Sequence, residues 1–127
     1  MSKVFLAFIL AVVSINTMAA WVKVGNSADF DVYIDNRSIK ESTDTLQMWV
    51  LYDFNTVQGT DASQHLSFKS LNQYQCRTKT SKMLVATTYD GHATTGKVVD
   101  TFNGTANAIP IPKQSIAEDL WNLACRS

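Results

Sequence analysis

Two cysteines and two histidines are the side chains of this chain most able to do chemistry. Neither pair has the neighbours that catalysis or metal binding requires. Cys76 and Cys125 are the only cysteines. Zinc takes four ligands, and His65 and His92 fall at no metal-ligand spacing from them or from each other. In an oxidising compartment a lone pair of this kind reads as a disulfide. Closing a loop of about 50 residues is worth roughly 4 kcal/mol of chain entropy. His65 opens an apolar-alternating stretch after a polar loop, and His92 follows an Asp-Gly dipeptide. Both read as solvated residues, since no nucleophile motif and no Gly-x-Ser-x-Gly accompanies them. The expectation is a protein that is not an enzyme and that carries no cofactor and no metal.

The charged residues sharpen that reading. Asp29, Asp31 and Asp35 would share one side of a strand. A calcium loop needs oxygens that converge around a bend with Gly at its apex, whereas carboxylates two apart on a strand diverge, so this is a solvated face. Arg77, Lys79 and Lys82, with Lys69 near by, form a small basic cluster. It is the expected ligand contact, able to attract a sulfated glycan, an acidic protein or a lipid headgroup. The same charges would also protect an exposed strand from edge pairing. Asn36-Arg37-Ser38 and Asn103-Gly104-Thr105 match glycosylation sequons, which carry meaning only in a eukaryotic secretory pathway.

Compartment is set by the first 20 residues. Lys3 precedes an unbroken apolar run from Val4 to Val13, and the segment closes on Met18-Ala19-Ala20. A basic start, an apolar stretch too short to span a bilayer and a small-residue exit make a secretory signal peptide over residues 1–20. Cleavage after Ala19 or Ala20 leaves a domain over 21–127, one unit of about 107 residues. The precursor has 11 basic and 11 acidic residues, and loss of Lys3 leaves a net charge of −1. That is not the footprint of a nucleic-acid binder. No second long apolar run offers a membrane span, and no cysteine next to Ala20 offers a lipid anchor. The product is expected in the periplasm or secreted, with display at the cell surface the third destination.

The elements that position these residues are mostly strands. Trp21 to Val24 alternates before Gly25-Asn26-Ser27, and Phe30, Val32 and Ile34 alternate with Asp29, Asp31, Tyr33 and Asp35. Thr45 to Asn55 is the strongest strand, with Leu46, Met48, Val50, Tyr52 and Phe54 on one face and Trp49 and Leu51 on the other. Apolar residues on both faces make it central. Leu66, Phe68, Ser70, Asn72, Tyr74 and Cys76 share one face of the next strand; Lys69, Gln75, Arg77 and Lys79 share the other. Met83 to Tyr89 follows, then a tight turn at Asp90-Gly91 and a strand over Lys97 to Phe102. The aromatic residues are expected mostly in the core.

At the C-terminus the period changes. Ser115-Ile116-Ala117-Glu118 is a capping box, and Asp119 adds negative charge where the helix dipole favours it. Ile116, Leu120, Leu123 and Ala124 form the apolar stripe of a helix about three turns long, with Trp121 flanking it and Cys125 continuing it through Trp121 at i+4. The fold expected is α+β: one antiparallel sheet of about five to six strands, a C-terminal helix on one face, and Cys125 tying the helix end to the strand carrying Cys76.

The whole pattern resembles the surface-adhesin protein E-like family of Gram-negative bacteria. Trp21, Val32-Tyr33-Ile34-Asp35 with Ser38-Ile39, Trp49-Val50-Leu51, Ser67-Phe68-Lys69, Cys76-Arg77 and Gly96-Lys97-Val98-Val99 carry the resemblance. Pro110-Ile111-Pro112, Ser115 and Asp119-Leu120-Trp121-Asn122-Leu123-Ala124-Cys125 are its most specific stretch. The chain departs from the family where Ala108-Ile109 replaces a Trp, and in having no lipidation cysteine. The resemblance implies an exported non-enzymatic binding module, in some members a host-matrix adhesin. Its partners would be host extracellular-matrix or serum proteins. The alternative expectation is a soluble periplasmic accessory or structural protein with periplasmic partners.

Overall fold

Alternating side chains form strands where one face can be buried, and the described residues hold eight strands, two of them only two residues long. The computed structural model describes residues 21–104 and 106–126. The expected signal peptide lies outside the described residues. The strands are β1 (Trp21–Asn26), β2 (Phe30–Asp35), β3 (Lys40–Glu41), β4 (Thr45–Gln58), β5 (His65–Gln75), β6 (Thr80–Tyr89), β7 (Val98–Asn103) and β8 (Ile109–Pro110). They make one sheet in the order β1-β2-β4-β5-β6-β7, with β3 added to β4 and β8 to β6. All pairings are antiparallel. Among the described residues one α-helix, α1 (Ile116–Cys125), follows. The α+β architecture expected from the sequence is the one observed, with six main strands and two two-residue additions.

Register places the alternating apolar residues on one side. Val32 pairs with Tyr52 and Ile34 with Val50, while Leu46 pairs with Tyr74 and Met48 with Asn72. Val32, Met48, Val50, Tyr74 and Ile34 make the core, and α1 presses Leu120 and Ala124 onto them. β4 is central, as its two apolar faces require; Leu51 on the helix-free face is 1% exposed. An extra residue in β6 shifts its register, so that Leu71 pairs with Val85 but Asn72 with Met83. This bulge turns Met83 onto the helix-side face.

Tyr74 is buried beside the helix, and its hydroxyl accepts a hydrogen bond from Asn72 Nδ2 at 3.1 Å. Burial pushes the phenol up to about 12, against which the Asn72 hydrogen bond pulls down. The folded protein therefore holds this proton in a pH range where the unfolded chain has lost it. The resulting stabilisation is complete below pH 10 and is lost as pH rises from 10 towards 12. Tyr74→Phe is expected to flatten the alkaline fall in stability across that window by about 2–3 kcal/mol. Urea unfolding at pH 9 and pH 11.5 measures it; an unchanged slope refutes it.

The helix differs from expectation in two details. Ser115 caps it by accepting from Glu118 N–H at 3.1 Å. Glu118, however, does not return to Ser115: its Oε1 accepts from Gln114 N–H at 3.0 Å and its Oε2 takes Lys79 Nζ at 2.7 Å. Gln114 stands at φ +58°, which brings its own N–H to the carboxylate. The Lys79 hydrogen bond, then that from Gln114, holds the Glu118 carboxyl below its ordinary range. The buried stripe is also rotated. Leu123 is 38% exposed, whereas Ile116 packs on the core as expected and Trp121 and Cys125 join it there. The reason is tethering: Trp121 Nε1 donates to Gln75 O at 3.1 Å, and Cys125 is bonded to Cys76, with Cα atoms 5.6 Å apart. Both anchors lie at the end of β5 and pull that side of the helix down.

The expected tight turn at Asp90-Gly91 is instead a long connection. Asp90 N–H donates to Lys97 O and Gly91 N–H to Thr95 O, each at 3.0 Å. A side chain at Gly91 would meet Thr95 O at 2.7 Å, so the glycine permits a close approach rather than a hairpin turn.

Candidate functional site

The helix is shorter than the sheet it covers. Ten helical residues span about 15 Å, whereas the 14 residues of β4 span about 46 Å. One end of the helix-side face is therefore covered and the other is open. On the open part lies a basin of about 730 Å³.

Phe30, Tyr52, Phe54 and Phe68 line one end of this basin, brought together by the pairs Phe30↔Phe54 and Tyr52↔Phe68. Their rings interlock: Phe30 lies 5.3 Å from Tyr52 and 6.0 Å from Phe54, and Tyr52 lies 6.1 Å from Phe68, centroid to centroid. Tilted contacts of this kind are favourable for aromatic quadrupoles. Burial raises the Tyr52 phenol above its ordinary range. Met83, Phe102, Ser70, Asn72 and Ser81 also line it, and Lys82, opposite Gln73 in register, borders it from the other face of β6. The sequence alternation put these aromatics in the core; the structure makes them half-buried walls instead. The missed signal was their number, too many for one three-turn helix to cover.

The helix-free face carries a different feature. Lys69 Nζ lies 5.2 Å from the Trp49 ring centroid and 6.0 Å from that of Tyr89. The three residues come from β4, β5 and β6 and are each partly exposed. The connection after β6 is latched to this same face. Ser67, fully buried, donates to Gly91 O at 2.6 Å and accepts from Thr94 N–H at 2.9 Å. His92 Nδ1 stands 2.9 Å from Asp53 Oδ1, which also accepts from Ala93 N–H at 3.2 Å. His92 is thus exposed, as expected of a loop residue, but it ties its loop to β4. His65 Nδ1 lies 2.8 Å from Ser63 O, and its ring meets Phe54 edge-on at 5.9 Å.

Arg77 and Lys79 lie in the turn after β5 rather than on a strand, and Lys82 lies on β6. Each meets a different neighbour. Arg77 pairs with Asp44 at 3.6 Å, Lys79 with Glu118 at 2.7 Å and over the Trp121 ring at 5.2 Å, and Lys82 borders the basin. Asp31 pairs with Lys23 at 3.1 Å, and Asp35 accepts from Arg37 N–H at 3.1 Å. Among the described residues no three His, Cys, Asp or Glu side chains converge as a metal site. Among them, too, no helix is long and apolar enough to cross a membrane.

Comparison with known proteins bears on what this arrangement is. Two crystal structures of Haemophilus influenzae protein E share the fold. The selenomethionine form superposes with a TM-score of 0.65 at 11% identity, covering 88% of this chain and 90% of that one. Crystal form II gives 0.63 at 9% identity, covering 87% and 91%. At such identities the likeness speaks to fold alone. No curated protein matches by sequence. The family description "surface-adhesin protein E", however, matches residues 21–126, essentially every described residue. The chain belongs to the surface-adhesin protein E family.

Proposed function

We propose that this protein is an exported, non-enzymatic binding module that contacts other proteins through the helix-free face of its sheet. Host extracellular-matrix or serum proteins are the partners if it reaches the surface, and periplasmic proteins if it does not. The observation that carries the reading is the Trp49–Lys69–Tyr89 cluster. Large aromatic side chains already held in place lose little entropy on binding and dominate protein contacts. A cation between two of them offers an acidic group of the partner a defined position. Family membership and the leader over residues 1–20, read as a signal peptide, support export of the domain over 21–127. Arg77, largely exposed in its pair with Asp44, and Lys82 add attraction at longer range, whereas Lys79 is held closely by Glu118.

Protease shaving of intact producing cells, beside a periplasmic control, decides the compartment. Loss of this protein alone places it on the surface; survival with the control directs the partner search to the periplasm. The contact itself is tested on immobilised matrix and serum proteins, or on periplasmic extract. The Trp49→Ala, Lys69→Glu variant is expected to lose at least ten-fold in affinity while its melting stays near wild type. Charge reversal at Arg77, Lys79 and Lys82 is expected to cost only a few-fold, with a salt dependence. Unchanged binding by the Trp49/Lys69 variant sinks the proposal.

A further inference from the structure

We infer that the outer edge of β1 and the flank of α1 beside it form a second contact site, apart from the Trp49–Lys69–Tyr89 face. It takes an extended peptide segment of a partner protein by strand addition. The first observation is an open edge. Among the described residues β1 pairs with β2 alone, so its second row of backbone N–H and C=O groups faces outward. The partner that satisfies such a row is another extended backbone. A lysine often guards an edge of this kind, but Lys23 is drawn aside to Asp31 at 3.1 Å.

The second observation is a groove along that edge, about 550 Å³ in volume and lined by Val24, Asp119, Asn122, Leu123 and Arg126. Two anchors fix its direction. A side chain at Gly25 would stand 3.6 Å from Ile116, so the start of α1 lies against Gly25. The end of α1 is bonded to Cys76, at the end of the sheet where β1 and β4 both begin. The helix therefore runs antiparallel to β1, with Asp119 towards Gly25 and Arg126 towards Trp21. Val22 pairs with Ile34 and shares its helix-side face, yet is 43% exposed. With Leu123 it offers an apolar seat to one side chain of an added strand.

The third observation is charge. Neither Asp119 nor Arg126 has an ion-pair partner among the described residues. Seven residues apart, they stand about 10 Å from each other along the helix. Strand residues i and i+4 point the same way about 13 Å apart, a span that flexible side chains match. A segment antiparallel to β1 complements the groove when a base comes first, an apolar residue two later and an acid two beyond that. The bulge between Lys23 and Gly25 sets this occupant apart from a second copy of the chain. A two-fold β1–β1 pair would carry that interruption twice, whereas a bound peptide meets it once.

The test titrates the oxidised, 15N-labelled exported protein with the capped heptapeptide TKTITET and with its charge-reversed form TETITKT. Amide shifts are expected to concentrate at Val22, Lys23, Val24 and Gly25 and along Asp119 to Arg126. TKTITET should bind at least five-fold more tightly than TETITKT. Asp119→Lys combined with Arg126→Glu should reverse that order, a readout that loss of fold cannot mimic, and Leu123→Asp should weaken both peptides. N-methylation of alternate peptide amides should abolish binding in one phase and spare it in the other, because only one set faces β1. The Trp49→Ala, Lys69→Glu variant should bind both peptides as wild type does, so failure here is distinct from failure of the face reading. An absence of shifts at β1, no preference between the two charge orders, or equal effects of the two N-methylated forms each overturns the inference. So do β1 shifts that grow with protein concentration alone, which would give the edge to a second copy.

Discussion

Replacing Cys76 and Cys125 together by alanine is expected to lower stability by about 4 kcal/mol, the largest single effect this molecule offers. The bond joins residues 49 apart in sequence, so it removes a large loop-closure entropy from the unfolded chain. For a domain of this size that corresponds to a fall in melting temperature of roughly 20 °C. The location of the bond makes the loss uneven. Cys125 is the last residue of α1 and Cys76 directly follows β5, so the bond holds the helix end on the sheet. Without it, docking rests on Leu120 and Ala124 in the core, on the Trp121–Gln75 hydrogen bond and on the Lys79–Glu118 pair. The pair is partly exposed and contributes little by itself. Thermal unfolding followed by Trp emission should show the variant losing helix contacts first. A melting temperature within 3 °C of wild type would mean that packing alone seats the helix.

Leu120→Ala is expected to cost about 3 kcal/mol and Leu123→Ala under about 0.5 kcal/mol, although both lie on the same short helix. Leu120 is 2% exposed against Val32, Met48, Val50 and Tyr74, and its loss leaves a void that the sheet cannot close. Leu123 is 38% exposed beside Val24, Asn122 and Arg126 and gives up little buried area. Urea unfolding of both variants with the disulfide intact measures the difference. Equal costs would show that the helix sits in solution with its apolar stripe centred between Leu120 and Leu123.

These two contrasts also mark where a sequence is legible. A stripe written as Ile116, Leu120, Leu123 and Ala124 is correct in period, because 3.6 residues per turn is a local property of the backbone. Its rotation about the helix axis is not local. Trp121 and Cys125 reach the end of β5 across 46 and 49 residues of chain, and that distant anchor turns Leu123 outward. The Asp90-Gly91 dipeptide likewise announces a change of direction. The long connection that results depends on Ser67 and Asp53, which lie on strands formed 20 or more residues earlier.

The same division holds for the sites. Strand faces, the central position of β4, the Ser115 cap and the cysteine pair were all readable from residue types and spacing, because each is a short-range or covalent property. Phe30, Tyr52, Phe54 and Phe68 were readable as one apolar face but not as an open one. Whether a face is buried depends on what lies over it, and a helix of ten residues cannot cover a central strand about three times its length. Lys69 between Trp49 and Tyr89, and Arg77, Lys79 and Lys82 against three different neighbours, are likewise products of register across separate strands. The sequence by itself determined the elements, their buried sides and the cross-link. The tertiary structure alone decided which apolar surface stayed open and which charges were already paired, because coverage and pairing are contacts between residues remote along the chain.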